Sequence, residues 1–220
     1  MIHLYQARDA ILGFVDLGGW VVALIIALSV LSGAVVLWKL WQFYRAGVGR
    51  HAPLMAALAA SDAGQPTRAI ALAEAAPSHL GSVLALALQA TDARDRLYSY
   101  AETPLARLEG GFRLLDAVAQ TAPLLGLFGT VLGMIDAFRA MQEAGQNVDP
   151  SVLAGGIWVA LMTTAAGLAV AMPLSAILSW LESRMAGERR MAEALIEGAL
   201  RPGLTVPQAE SHARSGLAHA

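Results

Sequence analysis

Three long stretches without a charged residue constrain this chain more than any other feature of its sequence. They occupy residues 17–38, 117–135 and 150–181 and contain 22, 19 and 32 residues. Because the bilayer core is about 30 Å thick, a helix of about 20 apolar residues can cross it. The stretches therefore predict three transmembrane helices. The alternative, three buried helices of a soluble bundle, normally leaves a polar stripe on each helix, and the first and third stretches have none.

The composition agrees with a membrane protein. Charged residues make up 15% of the chain, whereas an average soluble domain has about 25%. The net charge of −2 provides no basic surface for nucleic acid. The absence of cysteine excludes disulfides, thiolate metal sites and cysteine nucleophiles. The five histidines are scattered outside the spans, so we interpret them as surface residues and predict no metal site and no cofactor.

Lysine and arginine are distributed unevenly about the spans. Arg8 is the one basic residue before the first span, and Arg139 is the one between the second and the third. Since basic residues accumulate on the cytoplasmic side, we predict an external N-terminus and a cytoplasmic C-terminus. The predicted parts are an external segment at 1–16, transmembrane helix 1 at 17–44, a cytoplasmic helical domain at 45–112, transmembrane helix 2 at 113–141, an external loop at 142–152, transmembrane helix 3 at 153–182, and a cytoplasmic helix and tail at 183–220.

The predicted fold is an all-α membrane protein whose long helices extend into the cytoplasmic domain. Helix-forming composition and turn residues predict short helices near 52–61 and 67–76 and a longer one from about 78 to 100. Thr103 and Pro104 resemble an N-cap followed by a first-turn proline, so we predict a helix that begins there and continues into the second span. A last helix is predicted at about 183–200, with disorder past Pro202.

Small residues recur at steps of three or four in the second and third spans, so each set shares one helix face. In lipid, such faces allow helix backbones to approach closely. The pattern is typical of tight packing, and a sharper interpretation is that part of the face lines a narrow passage. The positions are Ala119, Ala122, Gly126, Gly129, Gly133, Ala137 and Ala140 in the second span, and Gly156, Ala160, Thr164, Gly167, Ala171 and Ser175 in the third.

Four threonines in these spans are candidate pore-lining residues: Thr121, Thr130, Thr163 and Thr164. A threonine in a membrane helix commonly bonds back to a carbonyl one turn earlier, which needs no pore. Thr130 and Thr164 lie on the small-residue faces, however, and together predict a polar ring in an assembly of several copies. Pro123 and Pro173 remove backbone donors and are expected to bend their helices.

The spans contain no titratable residue near their middle. A proton path normally uses such a group, so a proton-conducting assembly would need a carboxylate from another subunit. Nothing indicates an enzyme, because the sequence has no metalloprotease, hydrolase or phosphate-binding motif. Ser29 and Ser32 in the first span also have no base near them in the sequence.

Two segments resemble the signature of the MotA/TolQ/ExbB proton-channel family. They are residues 122–138, APLLGLFGTVLGMIDAF, and residues 153–173, LAGGIWVALMTTAAGLAVAMP. With the predicted topology, the resemblance extends over roughly residues 15–200. Three spans make the chain more similar to the ExbB and TolQ branch than to the flagellar stator subunits, which have four.

This resemblance implies a homopentameric ring in the bacterial inner membrane, with the external side facing the periplasm. The ring would surround the single spans of an ExbD- or TolR-like partner, whose aspartate takes up protons. Proton flow would energise a periplasmic or outer-membrane process such as TonB-dependent or biopolymer transport, with a TonB- or TolA-like protein as a further partner. Thr130 and Thr164 match the family's pore threonines. The matching structural positions are Pro123, Gly126, Gly129, Gly133, Gly167 and Pro173.

One position departs from the family's pattern. Where ExbB and TolQ proteins commonly have glutamate, this chain has Val159. The flagellar branch also lacks that glutamate, so the substitution is compatible with a channel. Two alternatives stay open at this point: a non-conducting membrane scaffold, and a subunit similar to a flagellar stator.

Overall fold

The computed structural model describes residues 2–90, 94–144 and 150–201, and for residues 2–18, 144 and 152 it describes the backbone alone. The described residues form seven helices: α1 (Ile2–Ala46), α2 (Ala52–Asp62), α3 (Pro66–Glu74), α4 (Gly81–Gln89), α5 (Arg94–Glu109), α6 (Phe112–Ala144) and α7 (Pro150–Leu200). No strand occurs among them. The predicted all-α class is confirmed.

Within the described residues, three helical stretches are long and apolar enough to cross a membrane: Gly19–Ala46, Arg94–Glu143 and Leu153–Leu200. They contain the second stretch predicted from the sequence and all but two or three residues of the first and the third, so the chain is a multi-pass membrane protein. Helix α1 begins at Ile2, and Gly19, with φ +63° and ψ −159°, interrupts its helical geometry. The segment predicted as an external N-terminus, residues 1–16, is therefore helical from Ile2 onward.

The chain divides into two compact units. Unit 1 contains residues up to Leu40 and Gly110–Leu181, and unit 2 contains Trp41–Glu109 and the residues from Glu182 onward. Unit 1 consists of most of α1, all of α6 and the first part of α7. Its core is aliphatic and small, with Ile25, Leu115, Ala122 and Leu181 almost fully buried. Its outer surface exposes large apolar side chains such as Leu37, which suits contact with lipid.

Unit 2 contains the short helices and the last part of α7. The helices predicted at 52–61 and 67–76 are confirmed as α2 and α3. The single helix predicted from 78 to 100 is wrong, because α4 ends at Gln89 and α5 begins at Arg94. The helix predicted at 183–200 is confirmed as the last part of α7.

The predicted helix start at Thr103 and Pro104 is also wrong. Helix α5 runs through both residues to Glu109, although Pro104 cannot donate a backbone hydrogen bond. Its buried residues, Leu97, Ala101, Leu105 and Leu108, recur at helical spacing across the proline, and their burial outweighs the lost bond. The real interruption lies at Gly110–Gly111, where Gly111 has φ +93°, a conformation that favours glycine.

Part of two predicted segments falls outside the described residues. In the predicted loop at 142–152, α6 extends to Ala144 and α7 begins at Pro150, while residues 145–149 are not described. In the predicted tail at 183–220, the described chain ends at Arg201, so the prediction of disorder past Pro202 is not tested.

Candidate functional site

The glycines of α6 lie directly against α7 within unit 1. A Cβ atom on Gly126 would lie 2.9 Å from the Cα of Thr164, and one on Gly129 would lie 2.7 Å from the Thr163 hydroxyl oxygen. A Cβ on Gly133 would lie 3.2 Å from the Cβ of Ala160. Any larger side chain at the first two positions would force the helices apart. The small-residue face of α6 is thus in contact with that of α7 in one protomer.

The glycines of α7 complete this close packing. A Cβ on Gly156 would lie 2.4 Å from the Cβ of Ala137, and one on Gly167 would lie 2.5 Å from the carbonyl oxygen of Ala122. A Cβ on the neighbouring Gly155 would have no atom within 4 Å. The close contacts are therefore specific to the predicted face.

The two prolines predicted to be structural occupy different surroundings. Pro123 is half-buried in α6, and Pro173 is exposed in α7. Pro173 lines a cavity of about 240 Å³ in unit 1, together with Ala169 and serines 29 and 32 of α1. The Ser32 hydroxyl donates a hydrogen bond to the Ser29 carbonyl at 3.0 Å. Because Pro173 has no N–H, the carbonyl of Ala169 lacks its usual helical donor.

Three of the four candidate threonines bond back to the backbone. The Thr121 hydroxyl donates to Ala117 O at 2.8 Å, and the Thr130 hydroxyl donates to Leu127 O at 2.6 Å. Thr163 is buried in the α6–α7 packing, where its hydroxyl lies 2.7 Å from Ala160 O and 3.3 Å from Gly126 O. The structure thus places Thr163 inside the protomer and leaves Thr121 and Thr130 at least partly exposed.

Thr164 differs from the other three threonines. Its hydroxyl oxygen is buried and has no hydrogen-bond partner. A buried hydroxyl without a partner lowers the stability of a fold by about 1–3 kcal/mol. The neighbouring Thr163 avoids this loss through its hydrogen bonds. The residue as a whole is partly exposed. Since a helical threonine uses two χ1 rotamers, rotation about χ1 would exchange the hydroxyl with the methyl group and change the hydroxyl's surroundings.

The charged residues near the span ends differ in how far they are exposed. Asp116 and Asp136 are exposed, and Asp136 lies 4.0 Å from Arg139.

Lys39 is completely buried, with its amino group 4.6 Å from the ring centre of Trp38 and 5.8 Å from that of Phe112. The sequence marks Lys39 only as the end of an apolar stretch. Its burial between aromatic rings depends on a contact with α6 that no local pattern shows.

Val159 is the residue that the resemblance compares with a family glutamate. It is half-buried on α7, one residue before the buried Ala160. An aliphatic side chain at this point introduces no charge into unit 1.

Unit 2 contains a buried charge cluster that the sequence analysis missed. Glu188 is only 2% exposed, and its Oε1 accepts the Gly49 N–H at 2.7 Å and lies 2.9 Å from His51 Nε2. Its other oxygen lies 3.5 Å from Nε2 of His79, which is also buried. The interpretation of these two histidines as scattered surface residues is wrong. They are brought together because the last part of α7 packs beside the segments that flank α2 and α3.

Two further contacts join α5 to α7 within unit 2. Arg189 lies 2.9 Å from Glu109 and 3.3 Å from Glu102. Glu197 pairs with Arg94 and accepts a hydrogen bond from the Tyr98 hydroxyl at 2.7 Å. The bond from Tyr98, assisted by Arg94, lowers the pKa of Glu197. Within the described part of the chain, no group of three or more His, Asp or Glu side chains is arranged to hold a metal ion.

The packed glycine faces lie inside a region that matches a known family. Residues 89–194 match the sequence model of the MotA/TolQ/ExbB proton channel family. These residues, just under half of the chain, have the sequence pattern of that family. The matched region contains the whole of α6 and most of α7, so the resemblance predicted from residues 122–138 and 153–173 is confirmed.

Individual relatives of the family show the same similarity. The chain is 44% identical over 84 residues to the biopolymer transport protein exbB1 of Vibrio cholerae, a match that covers 36% of this chain and 37% of the relative. It is 40% identical over 97 residues to a putative ExbB homolog of Methanothermobacter thermautotrophicus, covering 44% and 33%. It is 40% identical over 67 residues to the Tol-Pal system protein TolQ of Pseudomonas aeruginosa, covering 30% and 29%. The matches thus span about a third of each relative.

Proposed function

We propose that the chain is the ring-forming subunit of an inner-membrane proton channel of the ExbB/TolQ type. In this proposal several copies, five by analogy with the family, surround the single spans of an ExbD- or TolR-like partner. The assembly uses the proton motive force to energise a periplasmic or outer-membrane process, such as TonB-dependent or biopolymer transport. The family match over residues 89–194 and the names of the relatives support this proposal.

The observation that carries the proposal is the unpaired hydroxyl of Thr164. The backbone of Thr164 packs against Gly126, where an added Cβ would lie 2.9 Å from the Thr164 Cα. Of the four candidate threonines, Thr164 is the one whose hydroxyl has no backbone carbonyl as partner. A fold selected only for packing would gain stability from valine at this position, because the methyl group needs no partner. Because the residue as a whole is partly exposed, rotation about χ1 would bring this unpaired hydroxyl into contact with water or with a carboxylic acid during proton transfer.

We assign the passage wall to Thr130 and Thr164. Thr130 is partly exposed on α6, and its hydroxyl still has acceptor capacity after donating to Leu127 O. A wall position for Thr121 stays a prediction. Thr163 we assign to helix packing, because its buried hydroxyl already contacts two carbonyls.

The proton-carrying acid in this proposal belongs to the partner. The spans have no titratable residue near their middle, and Val159 replaces the glutamate that relatives in this branch commonly have. A ring without its partner should therefore conduct poorly. A ring that stays closed without its partner prevents a loss of energy. Each proton that crosses the membrane releases about 2.3 kcal/mol per 100 mV of potential, and an open ring would dissipate that energy.

We also propose the topology predicted from the basic residues. The N-terminus faces the periplasm, and the residues of unit 2 lie in the cytoplasm. The uneven distribution of lysine and arginine supports this orientation. Exposed aromatic side chains near the ends of the apolar stretches support the positions of the span ends, since such residues favour both membrane interfaces. Examples are Trp20, Trp38, Trp41, Trp158 and Trp180.

The experiment that tests the function is proton flux into liposomes. The chain would be reconstituted alone, with a single-span partner that carries an intramembrane aspartate, and with that partner after an Asp→Asn change. We expect flux only in the vesicles that contain the ring and the unaltered partner. Equal flux with and without the partner would contradict the proposal.

The same vesicles test the scaffold alternative. One observation favours a scaffold: the small-residue faces of α6 and α7 are in contact with each other within one protomer. A scaffold predicts no flux in any vesicle although the partner binds. Binding of the partner without flux under an imposed potential would therefore replace the channel proposal.

A further inference from the structure

One side of α6 connects Thr130 with the beginning of that helix. Steps of three and four residues, taken from Thr130 toward the start of α6, place five residues on this side. We call it the polar stripe, and its members are Thr130, Leu127, Pro123, Gln120 and Asp116. Asp116, Gln120 and Leu127 are exposed, and the other two are half-buried. The polar stripe therefore lies beside the glycine face that contacts α7, and the packing leaves it accessible.

Gln120 is the member of the polar stripe that contact with lipid does not explain. It lies inside the apolar stretch at 117–135, close to its beginning, and its side chain is exposed. Among the described residues it has no hydrogen-bond partner. An amide that faces hydrocarbon loses its hydrogen bonds to water without compensation, which is costly. We therefore expect the polar stripe to face water or another polar group.

The neighbouring exposed side of α6 has a different composition. It consists of large apolar side chains that recur at steps of three or four: Leu124, Phe128, Val131 and Ile135. Side chains of this kind suit contact with lipid. The helix thus separates an apolar exposed side from the polar stripe, and Thr130, which we assign to the passage wall, belongs to the latter.

Asp116 ends the polar stripe, 14 residues and about 21 Å from Thr130. Its carboxylate is exposed, and no hydrogen bond or ion pair joins it to another described residue, Arg113 of the preceding turn included. Such a carboxylate can accept a proton from water and release it again. Asp136, near the other end of the apolar stretch, lies on nearly the opposite side of the helix and has Arg139 at 4.0 Å.

We propose that Asp116 is the proton-accepting group at the inner end of the passage, where α6 begins, and that Gln120 helps to keep this end hydrated. The inference rests on the proposed function. A proton released by the partner's acid reaches Asp116 through water and binds a carboxylate oxygen. It then passes to the water outside the membrane, which leaves the carboxylate ionised, and no other bond forms or breaks.

The middle of the polar stripe agrees with this proposal. Pro123 and Leu127, between Gln120 and Thr130, have no side-chain donor or acceptor. A passage that is polar at its inner end and apolar above it does not hold a continuous row of polar groups. Protons would therefore need the partner's acid to cross the apolar section, and a ring without its partner would stay closed.

The test is proton flux in liposomes that contain the chain and a single-span partner with an intramembrane aspartate, at equal amounts of assembled complex. Asp116→Asn keeps the shape of the side chain but removes the proton acceptor, and Asp136→Asn is the matched control. A positioned proton-transfer group typically contributes about 100-fold or more. Because water can replace part of this contribution, we expect Asp116→Asn to reduce flux by about tenfold or more and Asp136→Asn to leave it unchanged.

A second measurement separates proton transfer from a structural role. A high concentration of the membrane-impermeant buffer MES, on the side of the vesicle where α6 begins, should restore much of the flux lost in Asp116→Asn, because the mobile buffer exchanges protons in place of the carboxylate. Loss of flux without this rescue would overturn the proposal, since it would show that Asp116 supports the fold or only attracts cations.

The outcomes distinguish this inference from the proposed function. If the unaltered chain and its partner conduct no protons, the proposed function fails and this inference fails with it. If the unaltered complex conducts and Asp116→Asn conducts equally well, the proposed function stands and Asp116 is only a solvated residue at the membrane surface. Reduced flux in both Asp116→Asn and Asp136→Asn would likewise overturn the inference, because the effect would not be specific to the polar stripe.

Discussion

The close contact of α6 and α7 predicts a large difference between two Gly→Ala substitutions on the same helix. In Gly167→Ala, the new methyl group would lie 2.5 Å from the carbonyl oxygen of Ala122. An ordinary contact begins at 3.4 Å, so the backbones would have to separate by about 0.9 Å at this point. Ala122 is fully buried, and its backbone oxygen cannot rotate away as a side chain would.

The matched control is Gly155→Ala, whose methyl group would meet nothing within 4 Å. Both changes gain the helix propensity of alanine, about 1 kcal/mol, so that contribution cancels in the comparison. Gly167→Ala additionally suffers overpacking, which typically costs about 1–3 kcal/mol. For a chain of this length, 1 kcal/mol shifts the melting temperature by about 2–4 °C. The variants should therefore differ by about 2–12 °C.

The assay is a heat challenge of the two purified variants in the same detergent, followed by the fraction that stays folded on size-exclusion chromatography. Gly167→Ala should melt below the unaltered chain or close to it, and Gly155→Ala at or above it. If Gly167→Ala melted at or above Gly155→Ala, the α6–α7 packing described above would be refuted.

Two further predictions use the same heat challenge. Thr164→Val should melt at or above the temperature of the unaltered chain, because it removes an unpaired buried hydroxyl. Thr163→Val should lower the free energy of unfolding by about 0.5–1.5 kcal/mol, because it removes the hydrogen bonds of that hydroxyl. The reverse order of melting temperatures would contradict the assignment of the two hydroxyls. Gly47→Ala should destabilise unit 2 far more than Gly64→Ala. Both positions have a positive φ, so that strain is common to the two variants. Only Gly47→Ala also places a methyl group 1.8 Å from a backbone atom, the carbonyl oxygen of Pro77. Equal losses would show that the turn relaxes freely.

The spans and the packed faces could be predicted from the sequence because each depends on a local pattern. Apolar length alone predicts a membrane helix, and steps of three or four place Gly126, Gly129 and Gly133 on one face whatever the tertiary structure. The pattern could not show what meets that face. The structure shows that it is α7 of the same protomer.

Features that depend on distant residues were missed. The sequence shows His51 and His79 as isolated, because Glu188, which they both approach, is more than 100 positions away. The helix start predicted at Pro104 failed for a related reason: the burial of α5 outweighs the local preference of proline. The interruption at Gly110–Gly111 is visible in the sequence, but its positive φ is decided by the packing on either side.

The most direct test of the channel is proton flux through the ring and its partner after Thr164→Val, with Thr163→Val as the control. Both changes replace a hydroxyl by a methyl group at neighbouring positions, and flux is normalised to the amount of assembled complex. We predict that Thr164→Val reduces flux to the level of vesicles without the partner, although the variant assembles and is at least as stable as the unaltered chain. Thr163→Val should keep its flux. Full flux through the Thr164→Val ring would contradict the account.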